Sequence, residues 1–317
     1  MRTLAPFLVA LAGPAVAEIS FVQPLDCALG ETCFIQNYVD LDASPAARDF
    51  TCGGLTYDGH TGTDFALHTL ADLAASPQVL AAAPGTVTAT RTTEADRDIF
   101  APDPPEIAGR ECGNGLVIDH GSGWETQYCH MREVTARPGD RVAAGDPLGT
   151  VGLTGRTEFP HLHFSVRHDG AVVDPFAPEA QTCGTAPTET LWQDPLAYIP
   201  GDLIIAGWAD AVPDYAAIKA GTADGAETLT ASSPALVFWA YAYGGRAGDV
   251  LRIAISRNGE TVVENDFVLD RDQAQFFRAT GRRTPDVGWP PGSYIAIAEL
   301  LRNSASLGSV TDTLELR

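Results

Sequence analysis

The chain has 317 residues, 45% of them hydrophobic and 19% charged, a composition that excludes a disordered protein and a length that exceeds what one core usually spans. Its 20 Lys+Arg against 41 Asp+Glu give a net charge of -21, which argues against nucleic acid or an anionic membrane surface as a partner. Most of that acidity reads as solvated surface and says little about chemistry.

In chain order, Arg2, the apolar stretch Leu4 to Ala12 and the small-x-small tripeptide Ala15-Val16-Ala17 form a secretory signal pattern, so residues 1–17 are expected to be removed. Cys27 follows Asp26, not the small residue a lipoprotein signal needs, and no later stretch has the length of a spanning helix. The mature chain is therefore expected to start at Glu18, periplasmic or secreted, without membrane insertion. The six cysteines, at 27, 33, 52, 112, 129 and 183, form an even set, which in an exported chain points to disulfides, and no C-x-x-C pair argues for a thiolate metal site.

Between Val79 and Arg91 short alternating runs break at Pro84-Gly85. Gly115 to Asp119 reads as a strand turned by Gly121-Ser122-Gly123 into Trp124 to Met131. Leu162 to Arg167 and Ala171 to Val173 flank His168-Asp169-Gly170 as another hairpin, and Thr69 to Ser76 is the best helical candidate. The first region is thus expected to be β-rich. All seven histidines lie between His60 and His168, whereas four of the five tryptophans follow Pro187. That shift predicts a boundary near 184–192 and two domains, 18–187 and 193–317. The second carries strand-like runs at Ala235 to Tyr243, Val250 to Ser256, Thr261 to Leu269 and Tyr294 to Leu301, with Asn258-Gly259 as a hairpin turn. A small β-sandwich with Leu236 to Tyr243 as a core strand is expected, giving an all-β protein.

Two motifs carry chemistry: Gly59-His60-Thr61-Gly62-Thr63-Asp64 and, entered through Pro160, His161-Leu162-His163. In a strand, residues i and i+2 share a face, so His161 and His163 would open into one space. Two imidazoles and a carboxylate suit Zn²⁺, whose catalytic sites take three protein ligands and leave a position for water. Either motif alone is weak. A lone H-x-x-x-D arises by chance, and a buried H-x-H can be a hydrogen-bonded core pair.

In combination they resemble the lysostaphin/LytM-type zinc metallopeptidases, family M23. The likeness runs over about residues 50–178 and includes Ala83-Pro84-Gly85-Thr86-Val87, Gly113-Asn114-Gly115, Tyr128-Cys129-His130-Met131, Pro138-Gly139-Asp140-Arg141-Val142 and Val173-Asp174-Pro175. The resemblance implies a compact antiparallel β fold, zinc ligands at His60, Asp64 and His163, catalytic histidines at His130 and His161, and the peptide cross-links of peptidoglycan as substrate. Two rival readings remain. One is a non-catalytic cell-wall-binding regulator of a wall hydrolase, which the five intact positions argue against; the other is a secreted protease acting on proteins. His120 reads as structural, and His68 and His168 as surface or loop residues. The segment between Val87 and Gly113 is long, acidic and Pro-rich, either a flap beside the groove or a surface loop. The second domain is expected either to target the enzyme, to its polymer or to a protein partner, or to buttress it. For the cysteines, a short loop favours Cys27–Cys33 and the hairpin centred on Ser122 favours Cys112–Cys129, leaving Cys52–Cys183.

Overall fold

The computed structural model describes residues 19–97, 106–184 and 187–316; the expected signal peptide at 1–17 and the middle of the acidic Pro-rich segment lie outside them. The first region builds β1 (Cys33–Asn37), β2 (Thr63–Leu67), β3 (Gln78–Leu80), β4 (Gly85–Arg91), β5 (Gly115–Gly121) and β6 (Trp124–Cys129). It continues with β7 (Met131–Val134), β8 (Arg141–Val142), β9 (Pro147–Val151), β10 (His161–His168) and β11 (Ala171–Val173). Seven of these run in the order β1-β2-β10-β6-β5-β4-β8 with β11 added on β10, while β3-β9-β7 form a second sheet. Every pairing between them is antiparallel. The helical expectation at Thr69 to Ser76 is met by a 3-10 turn, Leu70–Ala75, with Thr69 and Asp72 closing a capping box at its start.

Strand β10 shows how the sequence divides core from site. With a side-chain period of two, Leu162, Phe164 and Val166 are fully buried in the hydrophobic core, and His161, His163 and Ser165 take the other face. The expected hairpins form as read: Ser122 (φ 52) sits at the β5–β6 tip, and Asn258 and Gly259 (φ 52 and 79) are both left-handed, as a type I′ turn requires.

After residue 193 the chain forms β12 (Asp202–Ala209), α1 (Tyr215–Ala220), β13 (Ala235–Gly245), β14 (Val250–Arg257), β15 (Glu260–Val268), β16 (Gln273–Arg283), β17 (Gly292–Arg302) and β18 (Ala305–Leu316). The sheets β12-β13-β16 and β15-β14-β17-β18 enclose an apolar core of Trp208, Phe238, Ile253, Tyr294 and Leu300. Strands β12, β16 and β18 were not legible in the sequence. In β16 and β18 polar residues dominate, and only Phe276, Thr280, Leu314 and Leu316 are buried.

Strand β13 is buried along Leu236 to Tyr243, as expected of a core strand, yet its two faces serve different interiors. Leu236, Phe238, Ala240 and Ala242 fill the sandwich; Trp239, Tyr241 and Tyr243 join the core of the first region. Trp192, in the connecting segment, also belongs to that first core, where it meets Phe65, Phe164 and Phe176. All three disulfides expected from the spacing are present, Cys27–Cys33, Cys52–Cys183 and Cys112–Cys129, with Cα separations of 6.0, 5.0 and 4.9 Å.

Candidate metal centre

The sheet register lines up one row of side chains: Asn37 opposes Asp64, Asp64 opposes His163, and His163 opposes Cys129. His60 enters this row from the loop ahead of β2. Its Nε2 lies 3.1 Å from Asp64 Oδ1 and 3.0 Å from His163 Nδ1, and the latter two atoms are 2.8 Å apart. Among the described residues, this is the group of His, Cys, Asp and Glu that could hold a metal ion.

The outer atoms of the trio are committed elsewhere. His60 Nδ1 donates to the Tyr38 carbonyl at 2.7 Å, Asp64 Oδ2 accepts from Asn37 Nδ2 at 2.9 Å, and His163 Nε2 meets the Ser165 hydroxyl at 3.0 Å. A carbonyl only accepts, so His60 carries its proton on Nδ1 and turns the Nε2 lone pair toward an acceptor-only carboxylate. Two facing acceptors require a proton or a cation between them. With no cation there, burial would depress His60, but the charge and hydrogen bond of Asp64 outweigh it and raise its pKa. Burial acts against the Asp64 charge too, yet His60, His161 and His163 hold its pKa well below the usual carboxylate value. The donor set fits zinc. Tetrahedral bonds of about 2.0–2.1 Å call for ligand atoms roughly 3.3 Å apart, a small widening of this triangle.

His130 and His161 stand beside the trio, their ring centroids 4.6 Å apart. His161 Nδ1 donates to the Phe159 carbonyl at 2.9 Å, and its Nε2 lies 3.6 Å from Asp64 Oδ1. His130 Nδ1 donates to the Thr154 carbonyl at 2.8 Å. Both rings are therefore fixed as the tautomer with a free Nε2 lone pair. Burial depresses both pKa values; the neighbouring His161 and His163 add to the effect at His130, and in His161 burial outweighs Asp64. Both are neutral bases at neutral pH.

The backbone around His130 is held firmly. Its φ of 65 is uncommon for a non-glycine residue, and its N–H donates to the Cys112 carbonyl at 2.8 Å, next to the Cys112–Cys129 bridge. Thr154, fully buried, accepts from Asn114 N and donates to the Met131 carbonyl, so one threonine ties β5, β7 and the loop ahead of β10 together. At Gly113 a Cβ would meet the Thr154 backbone at 2.3 Å, so this crossing admits only glycine. The described ends of the acidic segment lie against the same crossing. Glu94 exchanges two hydrogen bonds with Asn114, and Asp96 accepts from Arg132 and from Leu153 N.

All five site residues named from the sequence thus meet in one place. Cys129 is a disulfide partner, and His120 holds Pro84 and Thr126. His168 is half-exposed and stacked on Trp124, and His68 is half-buried beside Phe34. Asn37, Thr154, Thr157, Ser165 and Tyr57 complete the site without belonging to either motif, Thr157 through its hydroxyl 3.0 Å from His161 Nδ1. Ser165 was within reach of the same period-two argument that grouped His161 with His163. Tyr57 packs its ring on His60 at 4.5 Å while staying largely exposed.

Three convergent ligand atoms, two from the sheet and one from the loop ahead of β2, stand beside two neutral imidazoles, a set of groups that could hold a metal ion next to two bases. Residues 58–175 match peptidase family M23, so this stretch of the chain is an M23 domain. The chain is 38% identical over 66 residues to the cell division protein DipM of Caulobacter vibrioides, covering 21% of this chain and 11% of that protein. It is 41% identical over 63 residues to the DD-carboxypeptidase/endopeptidase Mpg of Neisseria meningitidis, covering 20% and 14%. Against the peptidoglycan DD-endopeptidase ShyA of Vibrio cholerae the identity is 31% over 81 residues, covering 26% and 19%. The chain therefore spans less than a fifth of the length of each of these relatives. Among solved structures, the catalytic domain of the M23 protein EnpA from Enterococcus faecalis overlaps 48% of this chain and 96% of its own, at 23% identity. The TM-score of that overlap is 0.33. Among the described residues no helix is long and apolar enough to cross a membrane.

Proposed function

We propose that the chain is an exported zinc endopeptidase that cleaves peptide cross-links of peptidoglycan, with residues 18–187 as the catalytic unit and 193–317 as a bracing sandwich. The observation that carries this reading is the trio itself. His60 Nε2, Asp64 Oδ1 and His163 Nδ1 converge within 3.1 Å, and every outer atom is already engaged. Bound zinc would supply polarisation of the scissile carbonyl and a more acidic water. The remaining work falls to the protein's own groups. His161 Nε2, a free lone pair beside the trio, accepts the proton of the attacking water, and His130 Nε2, the second free lone pair, accepts a hydrogen bond that orients that water. The same imidazole then returns the proton to the departing amine. The names of the M23 relatives, two of them endopeptidases, support peptidoglycan as the substrate.

The test is incubation of the purified mature protein with intact peptidoglycan, with and without a chelator, followed by mass spectrometry of the soluble fragments. Cleaved cross-links that vanish with chelator and return with zinc support the reading. An intact polymer in every arm would favour the non-catalytic regulator.

A further inference from the structure

Strand β1 lies upstream of the M23 match at 58–175. It nevertheless reaches the centre of the site. Register along β1 and β2 runs Cys33 to Leu67, Phe34 to Ala66 and Ile35 to Phe65, then slips so that Asn37, not Gln36, opposes Asp64. The slip is a β-bulge, the device by which a strand re-aims one side chain. Here it delivers Asn37 Nδ2 to Asp64 Oδ2 at 2.9 Å, in a buried setting where the carboxylate oxygen has no solvent to turn to. The next residue, Tyr38, supplies the carbonyl that fixes the His60 tautomer.

We infer that Asn37 is a positioning residue for the metal site. By donating to Oδ2 it holds the Asp64 carboxylate in the one orientation that points Oδ1 at His60 and His163. Removing the donor would let the carboxylate rotate and leave a buried oxygen unpaired, and loss of such an outer partner commonly weakens metal binding by about 10–100-fold. β1 is itself held from the sandwich. Phe34 packs on Tyr243 at 4.5 Å, Gln36 accepts from Gln275, and Tyr38 meets Tyr198 at 5.1 Å. The region after residue 193 therefore bears on the metal ligands through this strand.

This inference rests on the zinc reading, and one experiment separates the two. Zinc affinity of the full-length protein is measured by competition with a chromophoric chelator for wild type, Asn37→Ala, the similarly shaped Asn37→Leu, and Ile35→Val as a control in the same strand. The expected result is one tightly bound zinc in wild type and in Ile35→Val, with affinity about 10–100-fold lower in both Asn37 variants. If Asn37→Ala alone unfolds, Asn37→Leu decides. Wild-type affinity in a folded Asn37 variant overturns the positioning role and leaves the zinc reading standing. A wild type that binds no zinc overturns both.

Discussion

Before residue 193 the described interior holds His60, Asp64, His130 and His161, with Asn37, Asn114, Thr154, Thr157 and Ser165 around them. After it, setting tyrosine and tryptophan aside, the buried polar side chains are Asp249 and Thr280. Asp249 accepts from Arg302 and from Arg246 N, and Arg302 also ties the Pro200 and Gly244 carbonyls. The contrast separates two uses of burial. In the first region polar groups are desolvated to fix tautomers and tune basicity; in the sandwich desolvation serves cohesion. Burying polar groups costs free energy unless each is hydrogen-bonded, so the first region needs external support that the sandwich can supply. Strand β13 joins the two interiors, with Phe238 facing one and Trp239 the other.

The largest effect expected from breaking the contrast is at Trp239. If the two regions share a core, Trp239→Ala should lower stability by about 3–5 kcal/mol and move a single calorimetric transition for the whole chain. It should also weaken zinc binding through β1. Two independent transitions, with that of the region before residue 193 unmoved, would mean that the sandwich is only appended. The same shared core argues against trimming the chain near residue 185, because such a cut also removes Trp192 from among Phe65, Phe164 and Phe176.

A smaller effect is expected at Asp174, which sharpens the account of polar burial. Its Oδ1 accepts from Phe176 N, while Oδ2 is buried without a partner. Burial, helped by the charge of Asp49, pushes its pKa up to about 7 from 3.8. The folded pKa is raised, so the carboxyl's contribution to stability is complete below about pH 4 and is lost as pH rises through 7. Asp174→Asn should therefore gain up to about 4 kcal/mol over wild type at pH 8 and nothing at pH 4, since a tenfold change in a protonation equilibrium is worth about 1.4 kcal/mol. Denaturant unfolding at both pH values, in chelator so that metal does not enter, checks it. An equal effect at both pH values would contradict the desolvation account.

Much of this was legible in the residues. Alternation in His161 to Val166 located both the core face and the site face of β10, and Asn258-Gly259 fixed a hairpin, because both signals are local. Asn37 was not legible, since a bulge leaves no mark in a sequence and its partner lies 27 positions away. Thr154 was hidden for a similar reason: its role depends on the Gly113 crossing, a tertiary contact between segments about forty residues apart. The double burial of β13 could be read as a core strand but not as a strand shared by two cores, because both faces are apolar and periodicity falls silent.

On the proposed reading, His60, Asp64 and His163 hold the metal while His161 only faces it. Elemental analysis of purified wild type, His163→Ala and His161→Ala tests this most directly. The expected result is about one zinc per chain in wild type and in His161→Ala, and close to none in His163→Ala. Equal zinc in the two variants would contradict it.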